Sequence, residues 1–362
     1  MSEELTKSLN RLSLCFVYLD GAYKLSRENI DDHAKRSILR FFFIQLDNLI
    51  GLTARAKNLL YRNGSINIKQ KKTIEEKIAI LEGSYGNAYD AIRDKVAAHT
   101  QPMDLIELLG WWNDIDKTTI EVLYDDAEEI KSSVARAAHI TFSALPEQIP
   151  LQFPDNGKIA VRSSRTPSVS ADRLSLAKQN VVSMIEGHET QKKAQAVLSI
   201  IDFLECNFSL TVAVDNPETL YKRVVFDIGW LLAIVDLCSL IDNLFKDDKY
   251  DKSLLTYWKE HGIKGHDMLF SLFQARELSL ENELRDIRNK LAAHIDTEES
   301  ILDTIIRFEK IDLAQVHSYA IRIVNAFRDA CRVDIRTKVF LIHGMTVNAV
   351  SIARDSSVPF SE

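Results

Sequence analysis

The stretch "RDKVAAH", residues Arg93–His99, occurs again with small changes as "RNKLAAH", residues Arg288–His294. Five of the seven positions are identical, and the two differences exchange Asp for Asn and Val for Leu. At a single place, a short stretch with an arginine and a histidine would be an ordinary helix end. Its return far along the same chain indicates that the two halves of the protein are built alike.

The similarity extends to both sides of this motif. Upstream, "FFFIQLDNLIGL" (41–52) aligns with "DLCSLIDNLFKD" (236–247), which pairs Asp47 with Asp242 at the same distance before the motif Arg. Downstream, "LIELLGWWNDID" (105–116) aligns with "ILDTIIRFEKID" (301–312) after one extra residue in the second copy. Order and spacing are therefore shared over several elements, which predicts an internal duplication.

The boundary between the copies is marked by composition. Residues 143–170 hold four of the seven Pro and several Ser, which is typical of a linker. We therefore predict a first helical domain at 1–142, a linker with short strands at 143–170, and a second helical domain at 171–362. Small β-hairpins are expected near 140–165 and 337–353. A last helix is the alternative for the second of these, followed by a flexible tail.

The fold class follows from composition and periodicity. With 12 Gly and 7 Pro in 362 residues, the chain has few turn formers, and its long stretches rich in Leu, Ala, Glu and Lys favour helices. We predict a mainly α protein made of helical bundles, with the motif at the C-terminal end of a helix in both copies. The predicted helices are 4–25, 29–62, 69–99, 102–138, 171–186, 189–208, 215–247, 251–260, 276–294 and 298–334.

Charge and cysteine content limit the class of function. The net charge is −7, so any nucleic-acid contact must come from a local basic site rather than from an extended basic surface. The four Cys show neither CxxC pairing nor metal-ligand spacing with His, and we predict no metal and no cofactor. Cys238 is expected to be a buried free thiol, which suits a reducing cytoplasm.

No membrane segment is predicted. The N-terminus "MSEELTKSLN" is polar and acidic, unlike a signal peptide. The longest apolar run, at 224–245, is interrupted by three Asp and indicates a buried helix rather than a membrane span.

The motif residues suit phosphate chemistry. A His with a pKa near neutrality can act as a general acid or base, and an Arg fork can hold a phosphate. Arg and His lie six residues apart in each copy, which on an ideal α-helix is about 120° away from a common face. They can approach each other if the helix loosens at its end, or if the long Arg side chain swings around the helix.

The pattern of Arg, a polar Asn or Asp, four further residues and His resembles the signature of HEPN domains. "RNKLAAH" matches it fully through Arg288, Asn289 and His294, and "RDKVAAH" matches it with Asp94 at the Asn position. HEPN domains are helical bundles that work in pairs. Many are metal-independent endoribonucleases of toxin, phage-defence (antiviral defence) and RNA-processing systems.

The resemblance implies a pseudo-dimer within one chain. Arg93 and His99 would face Arg288 and His294 across a pseudo-two-fold axis and form one catalytic site. It also implies RNA as substrate and a regulatory protein or antitoxin as partner. A homodimer would be needed to pair the motifs if those of one chain did not meet.

Some residues have two interpretations at this stage. Asp94 and Asn289 would support the site, although the charge of Asp94 would offset an Arg and make the copies unequal. Asp47 and Asp242 lie inside apolar helices, where a buried carboxylate needs a partner, and the motif Arg of the same unit is one candidate. The alternative is a half-exposed Asp on the helix surface.

For the motif itself, the alternative is a repeated helix end whose Arg and His form salt bridges or caps. The alternative function is a non-catalytic RNA- or nucleotide-binding module or protein-interaction scaffold.

Overall fold

The computed structural model of the protein describes residues 2–28, 32–92, 117–142, 189–212, 214, 219–247, 251–293 and 301–333. Every regular element within these ranges is helical, which confirms the mainly α class. The predicted linker at 143–170 and the predicted hairpin at 337–353 lie outside the described residues. Of the hairpin predicted near 140–165, only residues 140–142 are described, and they are not in a strand. The rest of that hairpin lies outside the described residues.

The described helices of the first unit are α1 (Glu3–Ser26), α2 (Asp32–Arg62), α3 (Ile68–Ile92) and α4 (Lys117–Ala138). The start of α1 is fixed by Ser2, whose side-chain oxygen accepts a hydrogen bond from the N–H of Leu5 at 3.3 Å. This N-cap satisfies one of the backbone donors that every helix start leaves without an intrahelical partner.

The described helical elements of the second unit are α5 (Glu189–Val212), α6 (Leu220–Phe245), α7 (Leu254–Glu260), α8 (His266–Gln274), α9 (Leu278–Ile287), a π-helix (Arg288–Ala293), α10 (Ile301–Lys310) and α11 (Leu313–Val333). By sequence alignment, α6 corresponds to α2 and α11 corresponds to α4. The helices α1 and α5, which precede α2 and α6, have the same length of 24 residues.

The units pack through corresponding helices. Within the units, α1 packs along α2 and α5 packs along α6. Between the units, α1 contacts α6 and α2 contacts α5. The first helix of each pair therefore contacts the second helix of the other pair.

A buried ion pair lies at this junction. Arg40 of α2 donates two hydrogen bonds to the carboxylate of Asp236 in α6, at 3.0 and 2.7 Å, and both side chains are 0% exposed. The side-chain amide of Asn207 in α5 donates a third hydrogen bond to the same carboxylate at 2.6 Å. A charge pair without access to water needs this degree of hydrogen bonding, because removal from solvent is costly for each ion.

The core is centred on α6, which is apolar around its whole circumference, as expected for a fully surrounded helix. Its Gly229 allows close contact with α5, because a Cβ at this position would lie 2.9 Å from Cγ2 of Thr211.

Two helical segments, Ser37–Arg62 and Leu220–Phe245, are long and apolar enough to cross a membrane. In their most apolar windows, 78% and 89% of the residues are buried inside the protein.

Two predictions at the level of elements are wrong. The predicted helix 298–334 is broken, because Asp312 accepts hydrogen bonds from the N–H groups of Ala314 and Gln315 at 3.0 and 3.1 Å and so starts a new helix, α11.

The sequence pattern predicts no helix between 260 and 276, yet α8 forms there. Its N-cap Gly265 packs against α11 so closely that a Cβ would lie 2.4 Å from the carbonyl oxygen of Ala330.

Candidate functional site

The second motif begins where an α-helix changes into a π-helix. The α-helix α9 ends at Ile287, and residues Arg288–Ala293 continue as a π-helix. Leu284, Ile287 and Leu291 are buried on the side that packs against α6, so the helical axis is held by the core across the change. Single π-helical turns inside helices often occur at functional sites. The motif segment therefore departs from the regular α-helix geometry.

Arg288 is partly accessible at this position. Its side chain is 21% exposed, and its Nε donates a hydrogen bond to Oδ1 of the neighbouring Asn289 at 3.1 Å. Within the described part of the chain, its two terminal nitrogens donate no hydrogen bond. Nη1 lies 3.7 Å from Oδ2 of Asp242, which is an ionic contact longer than a hydrogen bond. Among the described residues, the edge of the guanidinium group that carries the two terminal nitrogens is therefore without a hydrogen-bond acceptor.

Asp242 in α6 is held mainly by a different arginine. Arg285 approaches both of its carboxylate oxygens, with Nη1 at 2.8 Å from Oδ2 and Nη2 at 2.7 Å from Oδ1. Nη1 donates a hydrogen bond to Oδ2, whereas the approach of Nη2 to Oδ1 is a close ionic contact without hydrogen-bond geometry. The hydrogen bond to Asp242 raises the pKa of Arg285 above its ordinary value. Asp242 is half-buried, with 27% of its side chain exposed.

Further ion pairs fix the helix on both sides of Arg288. Asp286 contacts Arg307 of α10 at 2.6 Å and Lys290 at 2.9 Å. One turn earlier, the buried Glu281 accepts hydrogen bonds from Arg276 and from the hydroxyl group of Tyr319 in α11. The motif segment is therefore tied to α6, α10 and α11.

Cys238 lies one helical turn before Asp242 in α6. Burial raises the pKa of its thiol to about 12, although the nearby charges of Arg288 and Arg285 act in the opposite direction. All four cysteines are free and buried, which confirms the prediction for Cys238. At neutral pH this thiol is protonated, so it is no nucleophile.

The other predicted site residues are described only in part. Arg93, Asp94, His99 and His294 lie outside the described residues. Asp47 of α2, the counterpart of Asp242, is half-buried, and its charge adds to the effect of burial in raising the pKa of the Cys15 thiol. The structure thus brings together Arg288, Asn289 and Asp242.

Arg285 was missed in the sequence, although a signal for it was present. It precedes Arg288 by three residues, and residues at this spacing lie on the same side of a helix. A second basic residue beside the motif Arg could therefore have been expected to compete for Asp242. The first copy carries Asp90 at the corresponding position.

Comparison of the chain with family models, with curated proteins and with solved structures gives no match.

Proposed function

We propose that the protein is a metal-independent endoribonuclease of the HEPN type. The observation that carries this proposal is the contact between Asp242 and Arg288. The same Asp-to-Arg spacing occurs in both copies of the repeat, and in the second copy it corresponds to two side chains 3.7 Å apart. In the second copy, the Asp and the Arg that recur in the repeat therefore lie beside each other, which supports a common site rather than a chance similarity of two helix ends.

The proposed reaction uses the 2′-hydroxyl group of RNA as nucleophile. His99 or His294 accepts the 2′-OH proton while the 2′ oxygen attacks the adjacent phosphorus, and the other His protonates the departing 5′ oxygen. The products are a 2′,3′-cyclic phosphate and a 5′-hydroxyl end. Arg93 and Arg288 hold the phosphate and stabilise its developing charge, with Asp94 and Asn289 in support. General acid–base catalysis of this kind contributes typically about 10²–10⁴-fold to a rate.

The packing of the two units supports an intramolecular pseudo-dimer. The contacts of α1 with α6 and of α2 with α5 are reciprocal, as two similar halves around a two-fold axis would make them. In this arrangement the two motif-bearing segments, which follow α2 and α6 in the chain, would meet across that axis. A homodimer is the other way in which two motifs could form one site.

The proposed setting is a cytoplasmic toxin, stress or phage-defence system. The burial of both long apolar helices inside the protein supports a soluble enzyme. RNA is the proposed substrate, and a regulatory protein or antitoxin is the proposed partner. The competing function is a non-catalytic RNA- or nucleotide-binding module or a protein-interaction scaffold, which the net charge of −7 favours.

The test is incubation of the protein with labelled RNA in EDTA beside the variant His294→Ala. We expect cleavage to continue in EDTA, to give cyclic phosphate ends, and to fall by about 10²–10⁴-fold in the variant. An RNA with 2′-deoxy sugars throughout is the matched control and should remain intact. Binding of RNA without cleavage under any of these conditions would favour the non-catalytic module instead.

A further inference from the structure

Two arginines share one carboxylate beside the second motif, and they share it unequally. Arg285 contacts both oxygens of Asp242, whereas Arg288 reaches one oxygen only at 3.7 Å. The attraction between opposite charges falls with distance, and Arg285 lies about 1 Å closer to Asp242 than Arg288 does. The charge of Asp242 is therefore largely taken up by Arg285.

This division has a consequence for Arg288. Without Arg285, the carboxylate of Asp242 would be free to form the same two-point contact with Arg288, which is already within 4 Å. The guanidinium of Arg288 would then be turned into the protein and its charge neutralised. With Arg285 present, Arg288 is anchored through its Nε by Asn289 and retains two terminal nitrogens that donate no hydrogen bond to the described residues.

We propose that Arg285 is a positioning residue that occupies Asp242 and thereby keeps Arg288 available for a phosphate group of RNA. This inference rests on the proposed function, and it adds a residue outside the repeated motif. It also makes the two copies unequal. The first copy has Asp90 where the second has Arg285, so that copy lacks the arginine that would occupy Asp47 from this position.

If Arg285 acts by occupying Asp242, a second substitution that removes the charge of Asp242 should restore the RNA affinity lost in an Arg285 variant. A merely structural role of Arg285 would not give this rescue. In Arg285→Gln, Asp242 captures Arg288, and the affinity for RNA falls by about tenfold, the order of one phosphate contact between charged groups. In the double variant Arg285→Gln/Asp242→Asn the capturing charge is gone, so the affinity returns to within about threefold of the wild type.

The measurement is the dissociation constant of a short 2′-O-methyl RNA oligonucleotide, which cannot be cleaved, as a function of salt. In Arg285→Gln the slope of log Kd against log salt should decrease by about the contribution of one phosphate, and the double variant should regain it. The control is Arg328→Gln. Arg328 of α11 pairs with Glu205 of α5 at 2.7 Å. Their side chains are 30% and 22% exposed, close to the exposure of the pair of Arg285 and Asp242. This variant should bind RNA as the wild type does.

The outcomes separate the inference from the proposed function. Wild-type affinity in Arg285→Gln overturns the inference, and so does a double variant that binds as weakly as the single one. If binding follows the predicted pattern but no RNA is cleaved, the positioning role stands and the endoribonuclease proposal is wrong. If the wild type cleaves RNA and Arg285→Gln cleaves it equally well, the endoribonuclease proposal stands and the positioning role of Arg285 is wrong. A wild-type protein that does not bind the oligonucleotide overturns both.

Discussion

Asp227 in α6 is a carboxyl group in an unfavourable environment. It contacts Arg223 at 3.0 Å, and Arg223 is shared with Glu309 of α10 at 3.3 Å. Burial raises the pKa of Asp227 to about 6, with Glu309 adding to this effect, while Arg223 and the hydroxyl group of Tyr18 in α1 oppose it. Its charged form is therefore disfavoured by folding at neutral pH.

The sign of the pH dependence follows from this direction. Because the pKa in the folded protein lies above the ordinary value of 3.8, folding favours the protonated carboxyl. Asp227 therefore destabilises the fold above its folded-state pKa, and the penalty disappears as the pH falls from about 6 towards 3.8. We expect Asp227→Asn to raise the free energy of unfolding by roughly 1–3 kcal/mol at weakly alkaline pH. Urea denaturation of both proteins over a pH series measures the difference, which should shrink as the pH falls.

Asp247 offers a control with the opposite sign. Burial alone would raise its pKa, but hydrogen bonds from the backbone and side chain of Ser253 and from Thr256 outweigh burial and lower it. Asp247→Asn should therefore lose stability at weakly alkaline pH, and its difference from the wild type should also shrink on acidification. A destabilised Asp227→Asn protein at that pH would contradict the account.

At the scale of the residue, the sequence shows which charged side chains need an ion-pair partner, but not which residue that partner is. Asp242 could be predicted to need an arginine, because it interrupts an apolar helix. That Arg285 rather than Arg288 makes the closer contact depends on how α9 lies against α6, which the pattern alone does not define. Similarly, Arg40 and Asp236 each stand out in an apolar run, but their pairing joins two helices of different units.

At the scale of the element, α3 contains a bend shortly before the first motif. Gly86 has φ 53° and ψ 174° inside this helix. Residues with a side chain adopt this conformation only at a cost of about 1–3 kcal/mol. The bend therefore depends on glycine at this position.

The bend can be tested with two substitutions in one helix. At neither Gly86 nor Gly83 would a Cβ come within 4 Å of an atom outside the local helix backbone, so packing against neighbouring elements does not contribute at either site. We expect Gly86→Ala to lower the free energy of unfolding by roughly 1–3 kcal/mol through backbone strain. Gly83→Ala should raise it by about 1 kcal/mol through helix propensity. Thermal unfolding measures both, and a stabilised Gly86→Ala variant would show that the bend is absent in solution.

The elements differ in how well they could be predicted. The long helices α1, α2 and α5 follow from their apolar periodicity and their length, and α6 follows from the length of its apolar run. The break before α11 depends on one capping side chain, Asp312, inside a sequence that otherwise continues the helical pattern. The π-helix at Arg288 could be anticipated only as a loosened helix end, because its form depends on packing against α6.

At the scale of the whole molecule, the two units are held together by apolar helix faces around one buried charge pair. Arg40 and Asp236 are both inaccessible to solvent, and the guanidinium of Arg40 also lies over the ring of Phe203, 4.7 Å from its centre. Such a pair requires both partners, because a single buried charge is left without compensation. The pair therefore fixes how α2 lies on α6.

Removal of one partner should be far more damaging than removal of both. We expect Asp236→Ala to lower the free energy of unfolding by roughly 3–5 kcal/mol, and Arg40→Met/Asp236→Leu to recover most of this loss. Chemical denaturation of the full chain measures both variants. The exposed pair of Glu3 and Lys7 is the control, and Glu3→Gln should leave the unfolding midpoint unchanged. An Asp236→Ala protein as stable as the wild type would contradict the described junction.

The internal duplication is a prediction from the sequence, made because its residues recur in order and at the same spacing. The way in which the units pack could not be predicted, since the residues at the junction do not repeat. Arg40 aligns with Val235, and Asp236 aligns with Phe41, so the charge pair breaks the symmetry of the repeat.

The central claim is that both motifs of one chain form a single catalytic site. The most direct test is the rate of RNA cleavage in EDTA by His99→Ala, by His294→Ala and by an equimolar mixture of the two variants. We expect each variant to be slower than the wild type by about 10²–10⁴-fold and the mixture to be no faster than its components, because each chain carries only one intact half. Recovery of activity on mixing would assign the site to a homodimer, and wild-type activity in His99→Ala would contradict a shared site altogether.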